Sequence, residues 1–280
     1  MIFLGITTLY PFINVLAISL NQSYDTVRGG IYLIPREFTL ESYKQIFAYG
    51  GLLSALKISV LRTVIGSVTT VFLTTMLAYT ISRRDFIARK FVSVLFVITM
   101  YVNGGLIPTF VLMRNIGLTN SFWVYIIPGF VGVWGVFVVR SFIDNLPPSL
   151  QESAKLDGAN DFIIFIKVVL PLCIPVLATI ALFSAVGQWN SWFDTYIYNG
   201  TNKKLSTLQY EMMKILTNTE ALKQLVLTGN RQDVKLLAST VSPESMRMAL
   251  TIVATVPILM VYPFIQRYFI QGLTLGGVKG

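Results

Sequence analysis

The chain has 280 residues, 54% of them hydrophobic and 12% charged, with a net charge of +9 and a mean hydropathy of +0.66. A soluble domain carries roughly 25% charged residues, so this chain cannot cover itself with a water-facing surface and lipid must take the rest. Its cations are spread through the connections between apolar runs rather than gathered on one face, which argues against nucleic acid and suits lipid head groups.

A bilayer core of ~30 Å takes ~20 mostly apolar residues per helix. Six runs meet that: Ile2–Leu20, Leu52–Ile81, Phe91–Met113, Phe122–Phe142, Leu170 to about Phe193, and Met246–Ile270. The first has no basic leader and no convincing small-residue cleavage site, so it reads as a retained helix. The second is long enough to tilt or protrude and carries Lys57 and Arg62 near its outer end, to be read as ligand contacts or as snorkelling and partner-facing cations. The third is interrupted by Asn103-Gly104-Gly105 and Pro108. The expected fold is therefore all-α and integral to the membrane, one transmembrane domain over residues 1–280 with six spans.

Between spans two and three, Arg83, Arg84, Arg89 and Lys90 fall in one short connection. Positive-inside bias places it in the cytoplasm, with both termini and the connection at about 145–170. The long connection at about 194–245 then lies outside, although its own lysines offset the overall bias. It is expected to hold short helices around Leu205–Leu216 and Glu220–Leu227. Ser242-Pro243-Glu244 reads as a helix start, with Ser at the N-cap, Pro at N1 and an acid in the first turn.

The most informative segment runs from Ser149 to Pro175. Ser149 and Glu152 have the spacing of a capping box. Gly158 can end the helix that follows in the left-handed conformation. Asn160 or Asp161 can cap a second, apolar helix over Phe162–Val169. Two short helices meeting at a glycine corner give an L-shaped cytoplasmic projection, which by local chemistry alone is either a capped linker or a docking element.

Glu152-Ser153-Ala154, then Gly158, then Leu170-Pro171 resembles the EAA loop of binding-protein-dependent ABC importers, with Ser153 in place of the first Ala. Tyr10-Pro11-Phe12, Ala78-Tyr79 with Ser82-Arg83-Arg84, and Asn103 to Pro108 are similar to permeases of the maltose-type carbohydrate class, and most to its oligosaccharide (LplC-like) branch. The ending Gly272 to Gly280 looks like that class's terminal G-x-x-x-G-x-x-K-G. The resemblance covers nearly the whole chain. It implies a coupling helix at Glu152, Ser153, Ala154, Asp157, Gly158 and Ala159 that docks on a cytoplasmic ATPase, and a tail at Gly276, Gly277 and Lys279 that reaches between ATPase subunits. It implies a homologous second permease, two ATP-binding subunits, an extracellular sugar-binding protein that delivers an oligosaccharide, and a bacterial cell membrane.

No G-x-x-x-x-G-K-[ST] loop is present, so ATP and magnesium belong to a partner and this chain itself carries no cofactor, metal or catalytic residue. Histidine is absent, Cys173 is the lone cysteine, and no carboxylate lies inside the apolar runs except Asp194 just past the fifth. Intramembrane acid–base chemistry usually needs such groups, which weighs against a membrane-embedded enzyme. A channel would not need the coupling loop. An importer of amino acids or peptides would lack the carbohydrate-type tail. For the sugar path the candidates are Trp189, Asn190 and Trp192, with Asn103 at the broken third run. Aromatic faces stack on sugar rings and amides meet hydroxyls, but an outer aromatic belt needs the same residues, and Asn103 could equally pair with an unsatisfied carbonyl at the break.

Overall fold

The computed structural model describes residues 1–48, 51–217 and 242–277, whose regular structure is helical apart from one isolated bridge between Asn21 and Phe38. In chain order the helices are α1 (Ile2–Ser19), α2 (Ser23–Val27), α3 (Glu41–Ala48), α4 (Leu52–Ser82), α5 (Arg89–Tyr101), α6 (Leu106–Asn115), α7 (Val133–Asp144), α8 (Pro148–Leu156), α9 (Asp161–Ile164), α10 (Leu170–Leu172), α11 (Ile174–Asn190), α12 (Phe193–Asn199), α13 (208–217) and α14 (Pro243–Gly277). Two 3₁₀ turns, Phe122–Tyr125 and Ile127–Gly129, precede α7, and a π-turn, Phe165–Val169, joins α9 to α10. The described residues of Met1–Ile58 and Ser206–Met260 pack as one unit, and those of Ser59–Leu205 with the segment after Met260 as another.

Among the described residues, α4 and the Glu244–Val261 part of α14 are long and apolar enough to cross a membrane unbroken. Three bent helix pairs bring the number to five, and α1 is a shorter apolar helix. The expected apolar runs are thus helical, but three of them are not straight. The third bends by 119° between α5 and α6, the fourth by 44° before α7, and the fifth by 82° between α10 and α11.

Two of the bends have a local cause, and the other is served from α4. At the third, Gly105 takes φ +84 at the N-cap of α6, a conformation closed to residues with a Cβ except at a cost. At the fifth, Pro171 and Pro175 each lack the N–H that would continue the ladder and crowd the carbonyl four residues back. The expected helix Phe162–Val169 accordingly opens into the π-turn before Pro171, and the expected single run to Phe193 is split at Cys173 and again at Ser191. At the fourth, α4 supplies what the interrupted backbone lacks. The Thr70 hydroxyl donates to the Gly129 carbonyl at 2.6 Å, and the Thr74 hydroxyl accepts from the Gly132 N–H at 3.0 Å. Irregular backbone survives at membrane depth only with such partners.

Packing of this unit rests on small residues as much as on large ones, as expected where lipid removes most of the hydrophobic drive between helices. Ala78 and Ile81 of α4, Val136 and Val139 of α7, and Phe165 and Val169 of the π-turn are buried together. A Cβ on Gly135 would sit 3.2 Å from Thr74, so glycine there sets the approach of α7 to α4. The start of α14 is as predicted, with the Ser242 hydroxyl accepting from the Ser245 N–H at 3.1 Å and Pro243 at the first helical position. Of the two helices expected in the long connection, α13 matches the first, and the Glu220–Leu227 position lies outside the described residues.

Candidate functional site

The L-shaped loop is present, with one correction. Helix α8 begins at Pro148, whose fixed φ suits the first helical position, so Ser149 is already inside the helix and no side chain caps it. The predicted Ser149–Glu152 capping box does not form. Glu152 is exposed and has no hydrogen bond or ion pair among the described residues. The other end closes as expected. The Gly158 N–H bonds the Lys155 carbonyl and the Ala159 N–H bonds the Ala154 carbonyl, both at 3.0 Å, with Gly158 at φ +82. This is a Schellman ending, and it needs a left-handed residue at that one position. Asn160 then caps α9, its side-chain oxygen accepting from the Ile163 N–H at 2.9 Å.

The loop has two faces. Ala154 and Ala159 are half-buried against the core, where Phe165 stacks on Tyr79 at 5.5 Å between ring centres. Glu152, Ser153 and Asp157 are exposed, and Leu156 projects almost wholly, at 89% exposure. Arg83, at the end of α4, ties the two short helices to the span. Its guanidinium donates to Gln151 of α8 at 2.8 Å, binds Asp85 at 2.9 Å and reaches Asp161 of α9 at 3.4 Å. Lys155 lies 3.6 Å from Asp85 and 3.8 Å from Asp161. Chiefly the hydrogen bond from Arg83 holds the Asp85 carboxyl below the ordinary carboxylate range, so the tie is charged at neutral pH. In the sequence Arg83 stands as a topology signal and as part of the Ser82-Arg83-Arg84 resemblance, and neither points to this tie. Asp85 is two residues away, but Gln151 and Asp161 are distant in sequence, and no local spacing links them to Arg83.

A second cluster centres on Arg62, ten residues into α4. Its side chain is 3% exposed. It does not snorkel, one of the readings the sequence allowed, and its donors are taken up within the chain. All five guanidinium N–H groups have acceptors: Gln188 Oε1 from Nε at 3.0 Å and Nη2 at 2.9 Å, both Asp194 oxygens, and the Ser191 carbonyl at 3.4 Å. Tyr125 lies under the guanidinium, 4.4 Å from carbon to ring centre. Its hydroxyl donates to the Leu205 carbonyl at 2.7 Å. Gln188 fits because Gly66 leaves room, since a Cβ there would come within 2.7 Å of its amide. The cluster thereby fixes the break at Ser191-Trp192, where α11 ends and α12 begins.

Residues 51–275 match the family described as the inner membrane component of binding-protein-dependent transport systems. The chain belongs to that family. It is 39% identical over 272 residues to the polygalacturonan/rhamnogalacturonan transport system permease protein YtcP of Bacillus subtilis, covering 96% of this chain and 92% of the relative. It is 32% identical to Protein LplC of the same organism, covering 99% and 91%, and 30% identical to the arabinooligosaccharides transport system permease protein AraQ of Halalkalibacterium halodurans, covering 99% and 94%. Among solved structures it resembles a chain of a bacterial ABC transporter involved in the import of the acidic polysaccharide alginate, with a TM-score of 0.83, 27% identity, and coverage of 95% and 92%.

An importer permease of this kind is a non-enzymatic transport component, integral to the bacterial cell membrane, and works with a separate ATPase and a solute-binding protein. The permease's candidate path residues are not alike. Trp189 is buried at 6% exposure, whereas Asn190, one residue on, is exposed. Trp192 is half-buried and meets Phe193 and Tyr196 edge-on or tilted, at 5.7 and 6.4 Å between ring centres. Asn103 is exposed, and its side-chain oxygen accepts from the Gly105 N–H at 2.8 Å, so it serves a backbone donor rather than the carbonyl considered above. Gly276 and Gly277 end α14, and Lys279 lies outside the described residues. No group of three His, Cys, Asp or Glu residues among the described ones could hold a metal ion.

Proposed function

We propose that this permease forms part of the pathway by which an oligosaccharide, delivered by an extracellular binding protein, crosses the cell membrane. A homologous second permease completes the pathway, and two ATP-binding subunits holding ATP and magnesium drive it. The observation that carries the reading is the full-length similarity to permeases named for polygalacturonan/rhamnogalacturonan and for arabinooligosaccharides.

The loop geometry supplies the coupling. Glu152, Ser153, Leu156 and Asp157 offer a cytoplasmic ATPase a charged and apolar surface, while Ala154, Gly158 and Ala159 set the shape behind it. The Arg83 tie passes any displacement of α8 and α9 to α4, because three acceptors on separate segments converge on one planar donor. The tail at Gly276, Gly277 and Lys279 extends toward the same partner. On the other side, Asn190 and Trp192 at the α11–α12 break, with Trp189 behind them and Asn103 at the α5–α6 break, form a weak sugar contact. Few contacts suffice, since a transporter must release what it binds.

Glu152→Lys tests the coupling. Glu152 caps nothing, so its loss should leave the fold and the amount of permease in the membrane unchanged. An exposed ion pair is worth only ~0–1 kcal/mol, and reversal adds repulsion, so uptake per permease should fall several-fold while Glu152→Gln falls less. Uptake normalised to membrane abundance is the measurement, and wild-type uptake in Glu152→Lys removes the loop's acidic residue from the docking surface.

A further inference from the structure

Where α1 ends at Ser19 the chain folds back on it. The side-chain amide of Asn14 donates to the Ile31 carbonyl at 2.8 Å and to the Tyr32 carbonyl at 2.9 Å. Asn14 lies five residues before the end of α1, about 7 Å along the axis at 1.5 Å per residue. Residues 31–32 therefore return to a depth inside the span. A frame of polar groups fixes this return. Asp25, buried, accepts from Asn21 at 3.0 Å and from Arg36 at 2.9 Å, Arg36 also donates to the Gly29 carbonyl at 2.6 Å, and Asn21 accepts from the Glu37 N–H at 2.9 Å. Gly29 and Gly30 make the turn with φ +72 and +75.

This rigid frame holds three large side chains outward: Tyr32, Leu33 and Ile34, at 64%, 56% and 76% exposure. They continue the exposed apolar surface of α1, with Phe12 at 56% and Leu16 at 42%. In bulk water such a display gains nothing. In the hydrocarbon centre an irregular backbone would be unsatisfied. The level between the two suits it, since the carbonyls nearest the helix are served by Asn14 and a tyrosine there would meet the head-group layer with its hydroxyl. Tyr24, nearby in the loop, carries the Arg28 guanidinium 4.8 Å from its ring, a cation placed for lipid phosphate.

We propose that Tyr32, Leu33 and Ile34 form a membrane-interface anchor that enters the leaflet at the C-terminal end of α1, with Asn14 setting its depth. The inference does not depend on the transported solute. It is tested with a nitroxide at Ile34→Cys in a Cys173→Ala background that retains uptake, using the assembled transporter in phosphatidylcholine–phosphatidylglycerol vesicles. Collisions with oxygen should exceed those with a nickel chelate at position 34, and the order should reverse at Glu37→Cys. Adding Asn14→Leu should shift position 34 toward nickel accessibility. Nickel access exceeding oxygen access at position 34 would make the segment a water-facing loop. Exclusion of both reagents would make it a protein contact. An unchanged depth in Asn14→Leu would remove Asn14 from the device.

Discussion

Asp194→Leu, made alone, should strip most of the assembled permease from the membrane. Arg62 would keep its charge with its side chain 3% exposed and would lose two of its acceptors. Removing one partner of a buried ion pair costs about 3–5 kcal/mol, a large part of the 5–15 kcal/mol that typically separates folded from unfolded domains. Arg62→Met alone should cost less, because an unpaired Asp194, with 23% of its side chain exposed, can still reach water. The double variant Arg62→Met/Asp194→Leu should recover much of the loss, since a well-packed apolar pair often replaces a buried ion pair without penalty. Thermal midpoints of the purified complex, together with membrane abundance, read this out. An Asp194→Leu permease as stable as wild type would show that the pair does not hold the α11–α12 break.

Gly158→Val should uncouple transport from ATP hydrolysis while leaving the spans intact. The cause is backbone strain alone. Gly158 has φ +82, and a Cβ built there meets nothing within 4 Å, so crowding plays no part. A β-branched residue in that conformation is a true outlier, and holding it there costs on the order of 1–3 kcal/mol. At 1.4 kcal/mol per factor of ten, the correctly closed corner should become about tenfold rarer. Gly158→Asn should be milder, because asparagine tolerates the left-handed region. ATPase activity stimulated by loaded binding protein is the readout, and equal coupling in the Val and Asn variants would mean the Schellman ending is dispensable.

Most of the architecture was legible because its signals are local. Apolar runs of span length, the glycine corner at Gly158, the Asn160 cap and the Ser242-Pro243 helix start all follow from residues a few positions apart. Two local signals misled. Ser149-x-x-Glu152 fits a capping box, but Pro147-Pro148 starts the helix two residues earlier. Leu170–Phe193 fits one span, yet Pro171 and Pro175 decide its geometry. The Arg62–Asp194 pair was half visible, since one cation inside a span and one carboxylate at the edge of another are each costly alone in a membrane. Only the fold shows that residues 132 positions apart meet. Trp189 is a candidate for the path because an aromatic-amide pair at a helix end suits a sugar, and its burial, unlike the exposure of Asn190, has no signal in the local sequence.

This chain should pass a sugar only under the drive of a separate ATPase. The most direct measurement is uptake of labelled oligosaccharide into vesicles carrying the permease with its second permease and ATPase subunits. Uptake should require ATP on the ATPase side and loaded binding protein on the other, and should cease when either is withheld. Oligosaccharide entering without ATP, or ATP-driven uptake of an amino acid or peptide with none of any oligosaccharide, would contradict it.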